Sequence, residues 1–199
     1  MWSQKDSYFR IEILIMRKLL LLFPLLALTA STYPEKHADS VLADYPAVKI
    51  GDQIWMSFNW DMRTPKSWYF ENDSINNKDY GRLYYYSNAV AATPPGWHLP
   101  SLDEWQTLIN YYGGDAKALP SLLKGGESGL NLLMGGNKSA NISPTDIFNF
   151  KDEWGFYWTS TTDGEQTAYA IHFEKGNPAI TKTTYRRANG FSVRYIKDK

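Results

Sequence analysis

Thr93-Pro94-Pro95-Gly96-Trp97-His98-Leu99-Pro100-Ser101-Leu102-Asp103-Glu104-Trp105 is a rigid turn that runs straight into the start of a helix. Pro94 and Pro95 fix φ, Gly96 permits a bend, and Pro100 biases Leu99 toward extended backbone. Ser101 and Glu104 stand at the Ser-x-x-Glu spacing of a capping box, in which two side chains satisfy amides that the first helical turn leaves orphaned. Leu102, Trp105, Leu108, Ile109 and Tyr112 then recur at helical spacing on one face, and Gly113-Gly114 supplies the stop.

After this helix the pattern changes from period 3.6 to period 2. Four strands are predicted, Phe156 to Thr162, Thr167 to Phe173, Ala179 to Tyr185 and Phe191 to Ile196, with turn chemistry at Asp163-Gly164, Lys175-Gly176-Asn177-Pro178 and Asn189-Gly190. Tyr169, Ile171 and Phe173 alternate with Ala168, Ala170 and His172, as half-buried antiparallel strands do. Before the turn, Val48 to Ile50 and Gln53 to Phe58 flank Gly51-Asp52 and read as a hairpin; Asn59 to Asp79 is dense in Asn and Asp and reads as loop. Tyr84 to Ala92 is predicted as a short helix, and Asp115 to Leu123 as another interrupted by Pro120. Gly125 to Phe150 is rich in Gly, Asn and Ser and reads as one long irregular excursion. Helices followed by a terminal antiparallel sheet make an α+β domain.

The first thirty residues are read as an N-terminal extension and signal peptide. Met16-Arg17-Lys18, the apolar run Leu19 to Leu28, and the small residues Thr29, Ala30 and Ser31 follow the charged, apolar and cleavage order of an export signal. The apolar run is shorter than the ~20 residues a spanning helix needs. Residues 31–45 read as a linker and 46–199 as a single domain. The product is expected to be exported, to the periplasm, the outer surface or the medium, without spanning the membrane after cleavage. Ser31 stands where a lipid-modified cysteine would have to be.

Of 21 basic residues, the signal removes Lys5, Arg10, Arg17 and Lys18, leaving 17, and of 21 acidic ones it removes Asp6 and Glu12, leaving 19. With no basic surplus to neutralise phosphates, nucleic acid is not an expected partner. The chain has no cysteine, so an exported domain must hold by its core alone. Aromatic residues make up 16% of the chain, and large rings serve either as core or as stacking surfaces for sugars.

Five co-linear blocks carry a resemblance: Ser67 to Asp73, Tyr80-Gly81-Arg82-Leu83-Tyr84, Pro94 to Ser101, Tyr157-Trp158-Thr159-Ser160-Thr161 and Gly190-Phe191-Ser192-Val193-Arg194. From about Ile50 to Asp198 the chain resembles the Fibrobacter succinogenes major paralogous domain family. That resemblance implies an exported bacterial surface protein, and gives Gly81, Arg82, Trp97, His98, Pro100, Ser101, Glu104, Trp105, Trp158, Gly190 and Arg194 structural roles. The element Trp97 to Trp105 is also similar to that of formylglycine-generating enzymes and other C-type-lectin-like domains, which implies a C-type-lectin-like fold, one or two helices on a small twisted antiparallel sheet with long loops. Family members commonly carry cysteine where this chain has Tyr69, Asn77, Thr93 and Tyr195. If Thr93 and Tyr195 replace a bonded pair, they should lie close in space.

Enzymatic readings find little to stand on. Formylglycine-generating chemistry needs cysteine, which is absent. His37, His98 and His172 are dispersed, without the paired spacing of a zinc or iron site. Gly135-Gly136-Asn137-Lys138-Ser139 has Asn137 where a phosphate loop requires glycine. Asp103, Glu104, Asp152 and Glu153 are the carboxylates of a rival reading, a divergent hydrolase. No cofactor is expected; the weak exception is calcium, for which Glu71, Asp73 and Asp79, with Asn72, Asn76 and Asn77 between them, offer hard oxygens.

The favoured expectation is therefore a non-catalytic module that binds a glycan or protein ligand at the cell surface, through loops on a rigid scaffold. Trp154, Tyr157, Arg186, Arg187 and Asn137 are the expected ligand residues, rings to stack on sugar and guanidinium groups to donate. A structural or adhesive surface protein without a small ligand is the other alternative.

Overall fold

The computed structural model describes residues 45–140 and 147–199. The expected export signal, the linker as far as residue 44 and part of the middle loop, 141–146, lie outside the described residues. Val41–Lys199 forms a unit of its own, with mixed helices and antiparallel strands, an α+β architecture. No described helix is long and apolar enough to cross a membrane.

The capping box forms as its spacing predicts. Ser101 Oγ accepts from the Glu104 amide at 3.2 Å, while Glu104 Oε2 accepts from the Ser101 amide at 2.8 Å. The helix it opens, α3 (Leu102–Tyr111), buries Trp105, Leu108 and Ile109. Upstream, the Trp97 amide donates to Pro94 O at 3.1 Å and Gly96 takes φ 78°, closing a turn with proline and a left-handed glycine where that geometry requires them. The turn delivers β5 (Trp97–His98), which pairs antiparallel with β11 (Ile196–Lys197). β11 in turn pairs with β2 (Gln53–Met56), and β2 with β1 (Ala47–Ile50), giving a four-stranded sheet in the order β1-β2-β11-β5. The C-terminal strand β11 thus sews the rigid turn, at the sheet edge, to the first hairpin.

A second sheet, in the order β10-β9-β8, is built from β8 (Trp154–Asp163), β9 (Thr167–Glu174) and β10 (Thr181–Arg186). Two small ribbons complete the set: β3 (Ser67–Trp68) with β4 (Leu83–Tyr84), and β6 (Gly135–Lys138) with β7 (Phe148–Lys151). The long excursion predicted over Gly125 to Phe150 therefore contains ordered pairing, because Lys138 and Gly190 exchange backbone hydrogen bonds at 2.8 and 2.9 Å. The last predicted strand, Phe191 to Ile196, is regular only at its end. Its earlier residues bridge singly to other segments, Phe191 to Tyr84 and Ser192 to Tyr157. The region Asn59 to Asp79 is not simple loop either, for it holds β3 and the short helix α1 (Ser74–Asn77). The two other predicted helices shorten to α2 (Tyr86–Ala91) and α4 (Leu119–Leu122).

Strict alternation with a polar outer face is lost at β2 and β8, and the cores explain why. One core gathers Trp55, Trp105, Leu108, Ile109, Tyr157, Ile171 and Phe173; the other gathers Met56, Trp60, Tyr84, Trp158, Phe191, Val193 and Tyr195. Successive residues of a strand point to opposite faces, so Trp55 and Met56, Tyr157 and Trp158, Ile196 and Tyr195 each divide between the two cores. Every large side chain so buried contributes about 1.5–3 kcal/mol, and this doubled core stands in for disulfides. Of the positions where the resemblance implies cysteine, Thr93 donates to Val90 O at 2.8 Å and Tyr195 to the neighbouring Ala89 O at 2.6 Å.

Candidate functional site

The polar groove beside β3 is built by a run of short-range constraints. Ser67 Oγ accepts from the Thr64 amide at 2.9 Å and donates to Thr64 O at 3.0 Å, locking the loop that leads into β3. Pairing of β3 with β4 then sets Trp68 opposite Leu83. Arg82 reaches back from the edge of β4, donating from Nε to Ser67 Oγ at 3.0 Å and from Nη2 to Ser67 O at 2.9 Å, with its guanidinium 4.4 Å above the Tyr69 ring. Trp68 packs on Tyr85 at 4.8 Å, and Lys138 Nζ lies 4.5 Å over the Trp68 ring.

The far rim is the turn before α1. Glu71 and Asn72 both occupy the left-handed region, at φ 52° and 60°, which side chains other than glycine and asparagine rarely adopt. Asp73 then accepts from the amides of Ile75 and Asn76 and from Asn76 Nδ2, which holds its carboxyl below the usual range. Between these walls lies a groove of about 750 Å³, faced by Arg63, Thr64, Trp68, Tyr69, Asn72 and Arg82 among others. Burial, aided by a hydrogen bond with Asp61, raises the Tyr69 phenol, so it stays protonated. Thr64 Oγ1 is buried without a hydrogen-bond partner.

The expected ligand residues do not converge. Tyr157 is fully buried, with its hydroxyl 3.0 Å from Asn59 Oδ1 and accepting from the Leu133 amide at 2.8 Å; it is a core residue and does not reach the surface on which it was expected. Trp154 is stacked by Phe150 at 4.4 Å with an interplanar angle of 13°, and His172 packs against it at 4.8 Å. Phe150 is able to fold over it because its own φ is 64°. Arg187 donates from Nε to Thr167 O at 3.1 Å and from Nη2 to Gly164 O at 2.7 Å, and so clamps the β8–β9 turn. Arg186 is exposed and pairs with Thr167, whereas Trp154 pairs with Glu174 at the other end of β9, about 23 Å away at the rise of a strand. Asn137 Oδ1 accepts from Asn149 within the β6–β7 ribbon at 3.4 Å.

Several residues to which the resemblance gives structural roles lie within the packed scaffold. Trp97 is 8% exposed and Trp105 fully buried. Trp158 Nε1 donates to Tyr84 O at 2.8 Å, and Pro100 O accepts from the Ser160 amide at 2.8 Å. His98 is held from both sides, Nε2 against Glu104 Oε1 at 2.8 Å and Nδ1 against Asp198 Oδ1 at 2.6 Å. Burial alone would lower the His98 pKa, but the two carboxylates outweigh it and raise it. Gly190 sits against Lys138, where a Cβ would lie 2.9 Å from that side chain's own. Among the described residues no three His, Asp or Glu side chains gather as a metal site, and the carboxyl of Asp73 is engaged by its helix cap. Of the other carboxylates, Asp152 bonds the Tyr80 hydroxyl, which is pushed up to about 12 chiefly by that bond, and Glu104 belongs to the capping box and to His98.

Sequence reasoning missed the groove. The one signal is that Trp68, Tyr69, Arg63 and Arg82 mix rings with cations within twenty residues.

Compared with curated proteins and with solved structures, the chain finds no match in either. The model of the Fibrobacter succinogenes major domain matches residues 48–197, the segment that holds both sheets, both cores and the groove, and the chain belongs to that family.

Proposed function

We propose that this is an exported, non-catalytic binding module with a C-type-lectin-like scaffold, which holds a glycan or protein ligand in the groove beside β3. The observation that carries this is the juxtaposition of two half-buried rings, Trp68 and Tyr69, with the guanidinium groups of Arg63 and Arg82 in one concavity. A few oriented polar groups beside aromatic faces are what ligand sites are made of, and Arg82, fixed on Ser67 and Tyr69, spends little entropy on engaging a ligand. The two sheets and two cores supply the rigid support, while the loop wall and the turn at Glu71 and Asn72 supply the variable surface.

Binding of the purified chain to a glycan array, repeated with Trp68→Ala and Trp154→Ala, tests the assignment. Loss of signal with Trp68→Ala and retention with Trp154→Ala is expected. The reverse pattern would move the site to the far end of β9 and reject the groove.

A further inference from the structure

Resting on that reading, we propose that the ligand of the groove is an anionic oligosaccharide, carrying carboxylate, sulfate or phosphate groups. The residues that face the groove include two guanidiniums, Arg63 and Arg82, and no carboxylate. Two acids nearby do not line it. Asp73 is spent on the amides of α1, and Asp61 acts on the Tyr69 hydroxyl without facing the groove. A concavity with cations and no carboxylate on its wall raises the local concentration of anions, and the exposed Glu71 beside Asn72 at the rim works against it without lining it.

The two arginines divide the task. Arg82 has Nε and Nη2 on Ser67 and its plane over Tyr69, so its fork is oriented before any ligand arrives. Arg63 is exposed and its side chain makes no hydrogen bond or ion pair among the described residues, which leaves its planar donors for a carboxylate or sulfate. Saccharide, rather than a free inorganic anion, is indicated by what lies between them. Trp68 offers a half-exposed ring for sugar C–H faces, and Asn72 and Ser74 present amide and hydroxyl groups at the rim.

The test titrates the full chain with uronate, sulfated and sialylated oligosaccharides, each beside its neutral methyl-esterified, desulfated or asialo counterpart, and with an acidic peptide. At least one acidic sugar should bind about tenfold or more tighter than its neutral form, the size of one charge-assisted contact. That preference should shrink in Arg63→Ala, fall with added salt, and be largely kept in Arg63→Lys. Trp68→Ala should weaken acidic and neutral forms alike. Equal binding of both forms, still sensitive to Trp68→Ala, would overturn the anionic assignment and leave the groove standing. Binding of the peptide alone would overturn the sugar class. Absence of binding across the panel, or binding indifferent to both Arg63→Ala and Trp68→Ala, would overturn the inference together with the groove.

Discussion

Arg194 Nη2 donates to Asn59 Oδ1 at 2.7 Å across 135 residues of sequence. The guanidinium is fully buried, and its other partners are neutral: Met56 O at 2.9 Å, Leu130 O at 2.8 Å and Asn131 O at 3.1 Å. A charge without a carboxylate survives in a core only because such dipoles replace its water, and burial still pulls its pKa down. Asn59 is the hinge of the arrangement, since Tyr157 places its hydroxyl against the same oxygen while Asn59 Nδ2 donates to Tyr80 O at 2.8 Å. One cation therefore ties the first hairpin, the loop after α4 and β8 together.

Replacing Arg194 by Leu strands several buried acceptors, and a loss of about 3 kcal/mol or more is expected in chemical denaturation. Arg194→Lys should recover only part of it, because an ammonium cannot span the fork. A double-mutant cycle with Asn59→Ala should give a coupling of about 1–3 kcal/mol. Additive effects would show that the two residues stabilise the domain independently.

Gly81 has φ 71° and ψ −162°, a region open in practice to glycine alone. A Cβ there would lie 2.7 Å from Asn59 Cβ and 2.8 Å from Trp60 O, and that backbone wall cannot swing aside. Gly81→Ala is therefore expected to cost about 2–4 kcal/mol, from strain and overpacking together. The same substitution at Gly164, where a Cβ meets nothing within 4 Å, should cost less, so equal losses in melting experiments would refute the steric account.

The His98 clasp makes stability depend on pH. Its folded pKa is raised above the ordinary 6.5, so the clasp stabilises fully below that value and its contribution disappears as pH rises through the folded pKa. Glu104 runs the other way: burial would raise it, but the bonds from Ser101 and His98 prevail and lower it, so its contribution is present above the ordinary 4.5 and lost in acid. His172 opposes His98, because burial lowers its pKa and protonation there costs stability. The melting-temperature gap between the wild-type chain and His98→Gln should accordingly be widest below the ordinary 6.5 and narrow as pH rises above it. A gap independent of pH would mean that His98 acts by packing alone.

The sequence revealed the scaffold more readily than the site, and the difference is physical. The cap at Ser101 and Glu104, the proline turn before it and the hairpins around Asp163-Gly164 rest on neighbours in the chain, and local chemistry decides them. β2 and β8 lose the half-polar pattern because each lies between two cores, which hydrophobic alternation with one wet face does not describe. The groove was hidden because its walls, near residues 63–69, 72–74 and 82, meet through a ribbon of two residues a side, too short to leave any periodicity. Trp154 looked available for the converse reason: nothing in its spacing tells that Phe150 turns back and stacks on it.

Ligands are expected to enter beside Trp68. The chain has eight tryptophans, each with one indole N–H that nuclear magnetic resonance can follow during titration with an acidic oligosaccharide. The largest shift should fall on the Trp68 indole, accompanied by the Arg82 Nε signal, while those of Trp105 and Trp158 stay still in the cores. A largest shift on Trp154, with Trp68 unmoved at saturation, would contradict the account.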